Sequence, residues 1–358
     1  MATAGVLDSA SVVRVGVQTA VSSAASRSRS GPSYTVESER SPWNRDGGYR
    51  PVGRTAARHR ARYSCLADLC DRRCVLRRAP SGLYRSDDGG ASWLPAYEWA
   101  GTEEDRTTTA VSVSPSFATD RTVFSGGRAA VLRSSDGGRT WLAAELPPPP
   151  PVVSALAVSP DYSRDGTVLA ATIEDGVLRS ADRGVSWAAW NFGLLDLGVL
   201  SLALSPAFGE DETAFAGVQT GLFRSTNGGR AWRETGFPGD CAPVLSLAIS
   251  PNFTTDGVVL AGTEEHGLYR SLNGGDSWTQ VGGGVVEGAV NAILLASPLA
   301  LVLLDDAVFV SNDDGDTWVE RETGGALSVG ATCFAAPSGL ADDAPLIVGL
   351  VEGGVARV

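Results

Sequence analysis

Ser134, Asp136 and Thr140 lie within one eight-residue stretch, SSDGGRTW, residues 134–141. A hydroxyl two residues from a carboxylate, with a second hydroxyl four further on, could serve nucleophilic or acid–base chemistry. The same residues also build a tight turn. Ser and Asp side chains hydrogen-bond to backbone amides of their own turn, and Gly adopts the positive φ that a reversal needs.

Repetition decides between the two readings. The string occurs six times: SDDGGASW (86–93), SSDGGRTW (134–141), SADRGVSW (180–187), STNGGRAW (225–232), SLNGGDSW (271–278) and SNDDGDTW (311–318). The steps from Ser to Ser are 48, 46, 45, 46 and 40 residues. One catalytic site needs one copy, whereas a repeated structural unit needs many. Asn227 and Asn273 replace the Asp in two copies, and Ala231 replaces the second hydroxyl in one. A turn tolerates Asn for Asp; an acid catalyst does not. We read Ser86, Asp88, Trp93, Ser134, Asp136, Trp141, Ser180, Asp182, Trp187, Ser225, Asn227, Trp232, Ser271, Asn273, Trp278, Ser311, Asp313 and Trp318 as the structural residues of six turns.

The elements around these turns follow from the hydrophobic pattern. In residues 154–187, SALAVSP and TVLAATI alternate, GVLRS is a third short run, and Trp187 opens a fourth. Four short strands separated by turn residues read as an antiparallel meander. Such a meander repeated every 40–50 residues is the pattern of a β-propeller blade. The fold class is therefore all-β. The loop between the first two strands has its own signature: SPSFATD (114–120), SPDYSRD (159–165), SPAFGED (205–211) and SPNFTTD (250–256). The third strand ends in Arg133, Arg179, Arg224 or Arg270 just before the turn Ser. Both turns fall on one face of the meander, so Asp120, Asp165, Asp211 and Asp256 are expected to pair with these arginines within their own blades. The sixth unit lacks both partners, with Val310 for Arg and SPLA (297–300) for the loop.

The S-x-D-x-G-x-[ST]-W pattern resembles the Asp-box, or BNR, repeat family over about residues 79–358. That resemblance implies a β-propeller related to sialidases, xyloglucanase-type glycoside hydrolases, sortilin-type receptors and the photosystem II assembly factor family. It also implies that the Asp boxes sit on the turn between the outer two strands, away from the binding face. After the sixth box, residues 331–358 look like three strands of a further blade. Seven four-stranded blades are expected, with six as the alternative. Residues 63–358 form the propeller. Residues 1–62 are expected to be a poorly ordered Arg/Ser-rich segment that contributes a closing strand, with SYTVE (33–37) as the candidate.

Composition excludes several function classes. The net charge is −12, but residues 1–78 carry 14 Arg against 6 acids, and residues 79–358 carry 15 Arg against 35 acids. The repeats would repel a phosphate backbone, so no nucleic-acid partner is expected. The chain has no Lys, which removes Schiff-base chemistry and Lys-dependent phosphate loops. Cys65, Cys70 and Cys74 cluster without a paired C-x-x-C or a nearby His, so no metal site is expected. No cofactor is expected either. No run of 18 apolar residues marks a membrane span. No secretory signal is convincing, which places the chain in the cytoplasm by default and outside it if the natural start differs. A monomer is expected.

A propeller with these turns on one face has its loops and blade links on the other. The second-to-third-strand loops are TIEDG (172–176), QTG (219–221), TEEHG (263–267), LDDA (304–307) and VEGG (351–354). The candidate binding face is therefore an acidic rim of Glu174, Asp175, Glu264, Glu265, Asp305, Asp306 and Glu352, with His266 beside it. The links add Asp196, Asp240, Glu287 and two possible aromatic platforms, Trp99 and Trp190. Two functions compete. One is a binding or scaffold propeller with a protein or carbohydrate ligand and no catalysis of its own. The other is a glycoside hydrolase, sialidase-like or xyloglucanase-like, which needs two carboxylates about 5–9 Å apart. A sialidase-like site would also need an Arg cluster, and the face offers mainly Arg106, Arg128 and Arg233.

Overall fold

The structure, a computed structural model, describes residues 65–68, 75–79, 82–88, 92–96 and 108–358, except 129, 145, 328, 329, 337–339, 342, 343, 352 and 353. The described chain is an all-β propeller. Six sheets have four strands and one has three, and every pairing within them is antiparallel between sequence neighbours. We number the blades in chain order: blade 1 spans 65–95, blade 2 108–144, blade 3 153–189, blade 4 199–234, blade 5 244–281, blade 6 292–321 and blade 7 331–357. Blade 4 is typical, with strands Val199–Leu204, Ala214–Val218, Leu222–Ser225 and Arg233–Glu234. The first six blades meet the four-strand expectation. Blade 7 shows three strands among the described residues, and SYTVE (33–37), the expected closing strand, lies outside them.

The seven first strands stand side by side, and Cys65–Asp68 of blade 1 packs against Ala331–Ala335 of blade 7. Small polar side chains link these inner strands from blade to blade. Thr109 donates to the Val153 carbonyl, Ser154 to Val199 at 2.6 Å, Ser201 to Val244 at 3.1 Å, Ser246 to Val290 at 2.7 Å, and Asn291 to Ala331 at 2.8 Å. Each bond pairs a backbone carbonyl one step further round the ring, and all but that of Thr109 are buried. Ser154→Ala should therefore cost about 1–3 kcal/mol, the penalty of an unpaired buried carbonyl. Denaturant unfolding measures it, and an unchanged midpoint would contradict the link.

The core lies in the seams between blades. Trp187 of blade 3 packs with Phe124 and Val131 of blade 2, Trp232 of blade 4 with Leu169 and Val177 of blade 3, and Trp318 of blade 6 with Leu260 and Leu268 of blade 5. Trp141 and Trp278 do the same one blade back. Trp93 of blade 1 packs against Ile347 of blade 7, so the ring closes with the contact used at the other seams. Each turn Trp thus buries a large aromatic surface on the preceding blade.

Two local features differ from the expectation. The SPxFxxD loops contain single helical turns, Phe117–Asp120, Tyr162–Asp165, Phe208–Asp211 and Phe253–Asp256. The aspartates do not pair with the third-strand arginines of their blades. Asp120, Asp165, Asp211 and Asp256 instead accept the hydroxyls of Ser114, Ser159, Ser205 and Ser250 at 2.5–2.6 Å. They also accept the amides of Thr122, Thr167, Thr213 and Val258. Local bonds of this kind compete with a cross-strand ion pair for the carboxylate, and here they take both of its oxygens. Two of the arginines reach forward to the next blade: Arg224 to Asp276 at 2.9 Å and Arg270 to Asp316 at 2.6 Å. Val310 of blade 6 faces blade 7, which carries no such turn among the described residues.

Candidate functional site

The repeated turns spend their own chemistry. Asp136 accepts the Arg139 and Thr140 amides at 2.9 Å and the Thr140 hydroxyl at 2.6 Å. Ser134 donates to Asp136 and accepts the Gly138 amide, both at 2.8 Å. Asp182 and Asp313 are held the same way by Ser186 and Thr317. Asp88 accepts the amide and hydroxyl of Ser92, and the hydroxyl of Ser86. Asn227 and Asn273 accept the Ala231 and Ser277 amides at 2.8 and 3.0 Å, so the turn survives without a carboxylate. Burial pushes the Asp136 and Asp182 carboxyls up, but bonds from the hydroxyl and amide of Thr140 or Ser186 outweigh it and hold both at about 2. For Asp313 the Thr317 hydroxyl is the leading cause, and it too lies at about 2. Acids of this strength at neutral pH are fixed anions, not proton donors.

The opposite end carries the candidate face. Two of its loops share one construction. In blade 3, the Thr172 hydroxyl donates to the Gly176 carbonyl at 2.8 Å and accepts the Asp175 amide at 3.0 Å. In blade 5, Thr263 makes the same two bonds with Gly267 and His266, again at 2.8 and 3.0 Å. Both glycines have positive φ, +73° and +69°. A Cβ on Gly176 would stand 2.4 Å from Asn191 Oδ1, and one on Gly267 would stand 2.4 Å from the Val286 carbonyl. Side chains further along the chain brace both loops, Asn191 of the link after blade 3 donating to the Asp175 carbonyl at 2.8 Å and Gln280 of the fourth strand of blade 5 to that of His266 at 2.9 Å. Thr172, Thr263, Asn191 and Gln280 were not among the expected site residues. The shared T-x-x-x-G spacing of TIEDG and TEEHG was the available signal.

The expected rim residues divide into two groups. Glu174, Glu265, His266 and Asp306 are exposed, while Asp175 and Glu264 are half-buried. Asp305 is exposed yet committed: it accepts Asn291 Nδ2 at 2.7 Å, and its carbonyl accepts the Ala331 amide. Asp196 is committed too, accepting the Thr220 hydroxyl at 2.8 Å and the Gly198 amide at 2.8 Å. Asp240 and Glu287 are exposed on their links. Glu352, Arg106 and Trp99 lie outside the described residues. Trp190 already has guanidiniums over its ring, Arg179 and Arg230 lying 4.3 and 5.3 Å from its centre. Among the described residues no three His, Cys, Asp or Glu side chains are grouped to hold a metal ion. No helix among them is long and apolar enough to cross a membrane. A groove of about 360 Å³ lies elsewhere, on the outer edge of blade 6 between Val310, Thr317, Val319 and Arg321.

No family model matches the chain, and no curated protein is similar to it in sequence. Solved structures are similar in fold. The GH74 xyloglucanase from Xanthomonas campestris is 20% identical, with a TM-score of 0.63, over 81% of this chain and 50% of its own. The extracellular domain of the one-component system BT4673 from B. thetaiotaomicron is 15% identical, with a TM-score of 0.62, over 84% of this chain and 38% of its own. YCF48 bound to D1 peptide is 17% identical, with a TM-score of 0.60, over 83% of this chain and 93% of its own. The chain thus spans about half the length of the xyloglucanase and nearly all of YCF48. At these identities the likeness is one of fold, and function has to be argued from the site.

Proposed function

We propose that this chain is a binding propeller without catalysis of its own, and that its ligand face is the acidic end built by the loops of blades 3, 5 and 6. The observation that carries this reading is the pair of Thr–Gly turns at 172–176 and 263–267. They hold Glu174 and Glu265 on loops fixed by backbone and side-chain hydrogen bonds. A surface ordered in advance loses little freedom when a partner docks. Its charge calls for a basic partner surface, and complementary charge sets orientation and on-rate. YCF48, matched over 93% of its length, is a propeller with a bound peptide, which supports a protein partner. In the same reading the six turns are Asp boxes that act as struts, their carboxylates spent on their own loops.

The rival reading is hydrolysis of a glycoside, supported by the likeness to the xyloglucanase fold. One experiment separates them. The full chain is titrated calorimetrically with an arginine-rich peptide in 0.15 M salt, and separately incubated with xyloglucan while reducing ends are counted. Binding of the peptide is expected, weakened about tenfold in the Glu174→Gln, Glu265→Gln, Asp306→Asn variant, as three exposed charge contacts of roughly 0.5 kcal/mol each would give. Reducing ends are expected to stay at the level of the blank. Their release by the wild type, with loss in the variant, would overturn the binding reading.

A further inference from the structure

The seams after blades 4 and 5 each give the third-strand arginine a carboxylate and a backbone carbonyl. Arg224 has the Asp276 carboxylate at 2.9 Å and the Gly274 carbonyl at 2.5 Å. Arg270 has Asp316 at 2.6 Å and the Asp314 carbonyl at 2.8 Å. The seam between blades 3 and 4 breaks this pattern. Arg230 stands at the sixth position of its turn, where Asp276 and Asp316 stand in theirs. The third-strand Arg179 therefore feels a second positive charge where Arg224 and Arg270 have a carboxylate.

The two arginines share the Trp190 ring, with their Cζ atoms 4.3 and 5.3 Å from its centre. Arg230 is held through Nη1 alone, by Glu212 at 2.9 Å and the Asn227 carbonyl at 2.8 Å. Arg179 makes one long hydrogen bond, Nη2 to Thr167 Oγ1 at 3.3 Å. Its Nε is buried and makes none. No carboxylate lies within 4 Å of Arg179 among the described residues. Burial first, and Arg230 second, hold its pKa below the usual value, with Glu212 and Asp165 opposing. A partly buried charge with so few acceptors and no counter-charge is costly, and an anion that supplies both relieves the cost.

An apolar surface adjoins the arginines. Phe192 is 81% exposed and Leu195 is 82% exposed, both on the link that carries Trp190. Phe192 is bridged to Ala231, the neighbour of Arg230, and its carbonyl accepts the Trp232 amide at 2.8 Å. Residues 79–358 carry 15 Arg, Arg179 and Arg230 included, against 35 acids. A pair of arginines on so acidic a chain suits a single carboxylate in an apolar segment better than a polyanion.

We propose that the seam between blades 3 and 4 is a second binding site, which takes the carboxylate of an acidic peptide residue between Arg179 and Arg230 and a neighbouring apolar side chain on Phe192. The guanidinium fork suits a carboxylate, which can accept two parallel N–H bonds. The site is separate from the acidic loop face and stands whether or not that face binds a partner.

The test uses the full ¹⁵N-labelled chain and the arginine Nε–H region of its proton–nitrogen correlation spectrum. The probes are acetyl-Gly-Phe-Glu-Gly-amide and the same peptide with Gln for Glu. The Glu peptide is expected to shift the Arg179 Nε–H signal saturably, and the Gln peptide to bind at least tenfold more weakly. Arg230→Asp installs the arrangement found at the next two seams, so it should stay folded while losing at least tenfold in affinity. Equal binding of the two peptides, an unmoved Arg179 signal, or wild-type affinity in Arg230→Asp would overturn the site. Sodium acetate binding as tightly as the peptide would overturn its apolar half.

Discussion

Gly184→Ala will cost the protein about 2–5 kcal/mol of stability, through two effects that act at one atom. Gly184 has a φ of +84°, a region that penalises a Cβ by roughly 1–2 kcal/mol. The added Cβ would stand 2.4 Å from Cε1 of Phe124 in the preceding blade. Phe124 is fully buried and meets Tyr162 edge-on at 5.8 Å, so it has little room to turn aside. Overpacking of this kind typically adds about 1–3 kcal/mol. Gly221→Ala is the comparison, since nothing lies within 4 Å of its Cβ position. Denaturant midpoints should separate the two variants clearly. Equal midpoints would mean that the fifth turn residue does not seat on the preceding blade as described.

The second large effect concerns pH. Asp136, Asp182 and Asp313 titrate at about 2 in the folded chain, against an ordinary value of 3.8. A lowered folded pKa favours the folded state above pH 3.8, and that contribution disappears as pH falls through 2. Stability should therefore drop steeply between pH 4 and 2. The Asp136→Asn, Asp182→Asn, Asp313→Asn variant should flatten the profile in that window. At pH 7 it should retain most of its stability, because Asn227 and Asn273 already accept the equivalent amides. Chemical unfolding at half-unit pH steps measures this. A variant as acid-sensitive as the wild type would show that other carboxylates dominate.

Much of this architecture was legible in the sequence. Six copies of one turn at near-constant spacing announced the blades, and the alternating runs of 154–187 marked strands that the structure places at Val153–Val158, Val168–Thr172 and Val177–Ser180. The Asn and Ala replacements within the turns pointed to a structural role, and the hydrogen bonds of Asn227 and Asn273 follow that logic. What the chain could not reveal was contact between units. Arg224 and Asp276 lie in different blades, so a reading confined to one repeat paired the arginine with the wrong acid. Trp190 was legible as an aromatic on a link, but not as a ring covered by guanidiniums from blades 3 and 4. The acidic loops were legible as composition. Their bracing by Thr172 and Thr263 depends on three-dimensional turns that a threonine alone does not announce.

The central claim is a division of labour: the repeated turns hold the ring, and the opposite loops meet the partner. The most direct measurement is the affinity of the arginine-rich peptide for the Asp136→Asn, Asp182→Asn, Asp313→Asn variant at pH 7. The account predicts an affinity within about twofold of the wild type, since the substituted side chains lie on the far face and their charges are screened beyond roughly 8 Å in 0.15 M salt. A loss of tenfold or more in a folded variant would contradict it and place the binding chemistry in the turns themselves.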